Sequence, residues 1–84
     1  MAHVTIYSTP NCPYCMRAKS LLSSLNVAFD VVNLSENQKL REELQEKYSW
    51  QSVPMIVVGE EFLGGFDDIA KLHAEGKLLP KLNA

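Results

Sequence analysis

Cysteine is scarce in this chain: Cys12 and Cys15 are the only two among 84 residues. A small disulfide-built scaffold normally carries four or more, so that class is excluded. A bridge between these two would close a loop with two residues between its ends, whereas a staple gains stability by closing a long one. Positive charge is also short. Eight Lys and Arg against ten Asp and Glu leave a formal net charge of −2, which gives no electrostatic case for nucleic acid binding. The cations are scattered among acids, the pattern of a solvated surface. Long apolar runs are missing, and segments such as Met55–Val58 fall far below the roughly 20 residues of a helical bilayer span. The opening Met1-Ala2-His3-Val4 lacks the basic-then-apolar order of a signal peptide. No repeat, low-complexity tract or linker is present. The expectation is one soluble, cytoplasmic domain over residues 1–84, with a 46% hydrophobic content that suits a small, regular, well-packed core.

What is there reads as alternating elements. His3–Tyr7 is β-branched and alternating, a strand, and Ser8-Thr9-Pro10-Asn11 is a turn cluster. A helix follows from about Pro13 to Leu25, with Ala18, Leu21, Leu22 and Leu25 at spacings of three and four and Asn26 as its stop. Ala28–Asn33 reads as a second strand, parallel to the first because a helical crossover separates them. Ser35 and Gln38 have the spacing of a capping box. The helix they open carries Leu40, Leu44 and Tyr48 on one stripe. Met55–Val58 and Glu61–Leu63 flank Gly59-Glu60, a two-residue hairpin with glycine at positive φ. Gly64-Gly65-Phe66-Asp67-Asp68 leads into a third helix that ends near Glu75, with Gly76 as its stop. Lys77–Leu82 forms a short last turn. The order is βαβ, then α, then ββα: a small mixed sheet flanked by helices, of the α/β class.

Cys12-Pro13-Tyr14-Cys15 falls at a strand-to-helix junction. Proline is favoured at the first helical position because its missing N–H would be unpaired there. Cys12 is then the N-cap residue, facing unpaired backbone N–H groups and the positive helix end. Both favour thiolate, the attacking species in disulfide exchange. Cys15 is one turn further on, on the same side and deeper, so Cys12 attacks and Cys15 resolves. The alternative of structural zinc needs four ligands. His3 and His73 would have to complete the set, and neither stands at a zinc-finger spacing from Cys12. A CxxC beside a βαβ pattern is the setting of a redox dithiol.

These residues resemble the dithiol glutaredoxins over almost the whole chain. Three separated motifs carry the likeness: Cys12-Pro13-Tyr14-Cys15, followed by Met16-Arg17-Ala18-Lys19; Ser52-Val53-Pro54, similar to the family's Thr-Val-Pro; and Gly64-Gly65-Phe66-Asp67-Asp68, similar to its Gly-Gly-x-Asp-Asp. Thioredoxins normally carry Gly-Pro between their cysteines, and the single-cysteine glutaredoxins usually carry Cys-Gly-Phe-Ser. The resemblance implies a thioredoxin-like fold, a four-stranded mixed sheet of order 2-1-3-4 with an antiparallel last pair. It also implies a cis peptide before Pro54, where the residues alone read as a trans proline at a strand start.

The resemblance implies glutathione as partner and co-substrate, and no metal. The backbone of Val53, beside Pro54, would pair with the cysteinyl unit as an added strand. Gly65, Asp67 and Asp68 would receive the γ-glutamyl end at a helix N-terminus; helix capping alone also accounts for the two aspartates. Tyr14, after Pro13, would pack beside the sulfur or simply cover the surface. Trp50 would lie beside the groove or serve packing alone. Two positions depart from the family. Thr9 stands where many members carry lysine, and Gln51 where a residue contacting the glycyl end is often arginine. Both changes remove positive charge, so weaker glutathione binding is expected, or compensation from Lys47 or Arg17, with little salt dependence.

The implied activity is glutathione-dependent reduction of protein–glutathione mixed disulfides and protein disulfides by a monomer. A second reading keeps the dithiol but draws electrons from a thioredoxin reductase for a protein such as ribonucleotide reductase. A third is a dimer bridging an iron–sulfur cluster through Cys12 and two glutathiones, which the stiffening Pro13 disfavours.

Overall fold

The computed structural model describes residues 3–82. In chain order the elements are β1 (Val4–Ser8), α1 (Pro13–Ser24), β2 (Asp30–Asn33), α2 (Gln38–Tyr48), β3 (Met55–Val58), β4 (Glu61–Gly64), α3 (Phe66–Ala74) and α4 (Leu78–Leu82). The sheet order is β2-β1-β3-β4. β1 and β2 run parallel, with Ile6 opposite Val31. β3 runs antiparallel to both β1 and β4. This is the order the resemblance implied. Val58 pairs with Glu61 across the two-residue turn, and Gly59 has φ +60°, a conformation glycine adopts without steric cost.

Strand alternation distributes the core over two faces of the sheet. Val4 and Ile6 of β1 join Ile56 and Val58 of β3, Ala18 and Leu22 of α1, Ile69 of α3 and Leu78 and Leu82 of α4. The intervening residues face the other way, where Met55 is buried with Leu34 and Leu44, and Tyr7, Leu40, Tyr48, Trp50 and Phe62 pack around them. The helices therefore lie on both sides, α1, α3 and α4 on one and α2 on the other. Burying a side chain such as Leu22 stabilises by roughly 1.5–3 kcal/mol, and the larger first cluster is the main scaffold.

Three helices end in the same way. Asn26 (φ +58°), Ser49 (φ +52°) and Gly76 (φ +72°) take the left-handed conformation. The next residue's N–H then reaches back: Val27 to the Leu22 carbonyl, Trp50 to Gln45 and Lys77 to Leu72. These bonds satisfy carbonyls the helix leaves open. The stops expected at Asn26 and Gly76 are thus observed, and the closure at Ser49 turns the chain so that Trp50 folds back toward the sheet.

Three readings of the residues alone are corrected. Ser35 does not cap α2. The cap is Asn37, whose Oδ1 accepts the Leu40 N–H at 3.1 Å, while Ser35 donates to Asn33 Oδ1 through its N–H and its hydroxyl. An Asn side chain reaches its own local backbone as readily as serine, and the Asn33 turn claims Ser35 first. The Val53–Pro54 peptide is cis, as the resemblance implied and against the trans reading of the residues alone. β2 is also shorter than expected, starting at Asp30 rather than Ala28.

Candidate functional site

The dithiol sits where β1 hands over to α1. Cys12 is the N-cap, with extended backbone (φ −109°, ψ 104°), and Pro13 begins the helix. The Cys15 N–H donates to Cys12 Sγ at 3.2 Å. This places the sulfur over the unpaired N–H donors of the helix's first turn. Cys12 Sγ also donates to the Val53 carbonyl at 3.7 Å, so the loop before β3 is in direct contact with the sulfur. Both cysteines are free thiols.

Cys15 is only 1% exposed. Burial pushes its thiol up from 9.0 to about 12, and a hydrogen bond with Cys12 adds to the rise. The Thr9 backbone and the charge of Lys19 oppose it. Two thiols of one helical turn therefore differ sharply: one sulfur lies beside an open groove, while the other is sealed and holds its proton at neutral pH.

The groove beside Cys12 has a volume of about 310 Å³ and is lined by Tyr14, Trp50, Ser52, Val53, Pro54, Gly65, Phe66, Asp67 and Asp68. Gly65 is the N-cap of α3, and its N–H is bonded to Asp68 Oδ2 at 3.0 Å. Asp68 does cap the helix, as the simpler reading proposed, and it also lines the groove. Space explains both glycines of the third motif. A Cβ on Gly64, which has φ +106°, would meet Asp68 Oδ2 at 2.5 Å, and one on Gly65 would press on Trp50 Cζ2 at 3.3 Å. Trp50 joins both readings too. It lines the groove, and it packs edge-on against Phe62 at 5.4 Å, which in turn stacks on Tyr48 at 4.4 Å. Among the described residues, the Trp50 Nε1 is buried with no hydrogen-bond partner.

Of the residues expected at the site, Tyr14, Val53, Pro54, Gly65, Asp67 and Asp68 line one groove, with Cys12 against Val53 and Cys15 beneath. Thr9 and Gln51 are not part of its lining. The Thr9 backbone faces Cys15, and the exposed Gln51 accepts a hydrogen bond from Gln45 Nε2 through its carbonyl. Arg17 lies over the Tyr14 ring and Lys47 over that of Tyr48, each at 5.3 Å. Phe66 and Ser52 were not singled out as contacts, although both stood inside the motifs that marked the site. Tyr14 is 50% exposed, with its ring centroid 6.4 Å from that of Phe66. No group of three or more His, Cys, Asp or Glu side chains suited to a metal occurs among the described residues.

A thiol at a helix N-terminus, a second thiol one turn below and a cis-proline loop against the first sulfur define a thiol–disulfide exchange site. The comparisons with known proteins agree. The Glutaredoxin family model matches residues 4–63. The chain is 43% identical to Glutaredoxin 3 of Escherichia coli (strain K12), over 98% of this chain and 99% of that one. Its fold superposes on the solution structure of glutaredoxin from Brucella melitensis with a TM-score of 0.88 and 40% identity, covering 100% of this chain and 94% of that one. It also superposes on a buckwheat glutaredoxin–glutathione complex with a TM-score of 0.93 and 26% identity, covering 98% and 77%. The chain belongs to the glutaredoxin family, with the thioredoxin-like fold, and its activity is that of a thiol–disulfide oxidoreductase.

Proposed function

We propose that the chain is a glutathione-dependent reductase of protein–glutathione mixed disulfides and of protein disulfides, working through Cys12 and Cys15. The observation that carries this reading is the placement of the Cys12 sulfur against Val53, at the side of a groove that ends on the first turn of α3. A γ-glutamyl-cysteinyl unit fits that layout. Its disulfide sulfur would meet Cys12, and its backbone would pair beside Val53, which lies just outside the ladder that Met55 begins. Its α-carboxylate would take N–H groups of α3's first turn, and its ammonium the Asp67 carboxylate.

Cys12 thiolate attacks the glutathione sulfur of the mixed disulfide. The S–S bond breaks, the protein thiolate leaves and takes up a proton, and Cys12 carries glutathione. A second glutathione thiolate then attacks that new disulfide, giving oxidised glutathione and free Cys12. Alternatively Cys15 loses its proton and displaces glutathione, giving the Cys12–Cys15 disulfide. Burial of Cys15 disfavours its thiolate and so weighs against the second route. The buckwheat relative was solved as a glutathione complex, which supports the same ligand here.

The test is reduction of a glutathionylated peptide by glutathione, comparing the native protein with Cys15→Ser. Retained or increased turnover in the variant is expected. If neither protein turns over, glutathione is not the reductant, and a flavoenzyme such as thioredoxin reductase becomes the source of electrons.

A further inference from the structure

The resolving step puts a demand on Cys15 that burial opposes. A thiol must lose its proton before it can displace glutathione, and Cys15 must do so while sealed from solvent. Burial disfavours the charged form, so any positive charge that reaches this sulfur bears on the step. α1 carries no Asp or Glu, and its charged side chains are Arg17 and Lys19. Arg17 is placed over the exposed Tyr14 ring. Lys19 is the other cation.

Lys19 stands four residues after Cys15, the spacing that puts two side chains on one helix face with their Cβ atoms about 5–6 Å apart. Helical side chains lean toward the N-terminus, which directs the lysine stem back toward the turn that holds Cys15. Lys19 is half-buried, whereas Arg17 and Ser20 on either side are exposed, and it flanks the buried stripe of Cys15, Ala18 and Leu22. Among the described residues no carboxylate pairs with it; the ion pairs there belong to His3, Lys77 and Lys81. An ammonium held beside that stripe, with no acid to neutralise it, acts on the nearest group able to become an anion. Its charge and the Thr9 backbone oppose the rise that burial imposes on the Cys15 thiol.

We infer that Lys19 is a positioning residue of the resolving step, its ammonium stabilising the Cys15 thiolate as that sulfur displaces glutathione from Cys12. The inference rests on the dithiol route of the proposed function. In that step Cys15 gives its proton to solvent and its thiolate attacks the Cys12 sulfur. The Cys12–glutathione bond breaks, the Cys12–Cys15 bond forms, and glutathione leaves as a thiolate that takes up a proton. Lys19 exchanges no proton and forms no bond. Its charge acts only while negative charge sits on Cys15. The starting thiol and the final disulfide are both neutral there, so removing the charge slows the step in both directions and leaves its equilibrium in place.

Reduced protein is mixed with excess oxidised glutathione, quenched in acid at intervals and resolved by mass spectrometry into dithiol, mixed disulfide and internal disulfide. The rate of the first step scales with oxidised glutathione, and the rate of internal closure does not. Lys19→Met should slow closure about threefold to fivefold, since a roughly tenfold smaller thiolate fraction is partly offset by a more nucleophilic sulfur. Lys19→Arg should close within about twofold of the native rate, and in both variants the ratio of mixed to internal disulfide at equilibrium should stay within about twofold of native. Closure in Lys19→Met within about 1.5-fold of native, a Lys19→Arg variant as slow as Lys19→Met, or a slowing matched by an equal shift of the equilibrium overturns the inference and leaves the proposed function standing. If the native protein forms no mixed disulfide, the glutathione reading fails; hydroxyethyl disulfide in place of oxidised glutathione then gives the same closure comparison and decides the role of Lys19 separately.

Discussion

The open side and the buried side of α1's first turn are built from the same residue type and behave as opposites. Cys12 is partly exposed, accepts an N–H and touches the carbonyl of Val53, a groove residue. Cys15 lies under the same turn, sealed from solvent, with its thiol pushed up to about 12. The difference teaches that a dithiol is assigned its roles by environment. On the proposed reading, the first sulfur meets incoming disulfides and the second acts only after the first has reacted.

The largest expected effect removes the open side. Cys12→Ser should lower reduction of glutathionylated peptide on the order of a thousandfold or more, because a serine hydroxyl stays protonated and forms no disulfide. Activity in that variant comparable to the native rate would assign the attack to Cys15 and invert the comparison. Next comes the start of α3. Gly64→Ala forces a Cβ into Asp68 at a backbone of φ +106°, so a loss of about 2–3 kcal/mol in urea unfolding is expected. Asp68→Ala, which removes the cap on the Gly65 N–H, should cost about 1 kcal/mol of stability.

Titration sharpens the buried side. The folded state holds the Cys15 proton to about 12, whereas the ordinary value is 9.0. The unfolded chain therefore releases that proton first as pH rises. The stability from this group is fully present below pH 9 and is lost as pH climbs from there toward 12. Reduced native protein should show a urea midpoint that falls across this range, and Cys15→Ser should show a shallower fall. Equal slopes would mean that the thiol is not held protonated by the fold. The smallest effect is expected from Trp50→Phe. It deletes a buried N–H that has no partner among the described residues, which offsets the lost ring contact, so stability should change by less than about 1 kcal/mol.

Local chemistry made much of this legible. Proline after Cys12 marked the N-cap, three-and-four spacing marked α1, and Gly59 and Gly76 marked their turns, because each depends on neighbours close in the chain. Motifs brought Val53, Gly65 and Asp67 into view as one site although they lie far from Cys12 in sequence. The misreading at Ser35 has the opposite cause. Two side chains capable of capping stood two residues apart, and the hydrogen bond from Ser35 to Asn33, which depends on how β2 ends, decided between them.

The sequence by itself determined the elements, their order, the parallel pairing of β1 with β2 and the chemical type of the reactive pair. These follow from periodicity, from turn residues and from the spacing of two thiols on one helical turn. Only the tertiary structure decided how far apart the two thiols stand in environment, that Val53 reaches the Cys12 sulfur, that Trp50 backs Gly65, and that Thr9 and Gln51 fall outside the groove. Burial, dielectric and contact across the sheet depend on segments some forty residues apart being packed together, and no local pattern along the chain carries that information.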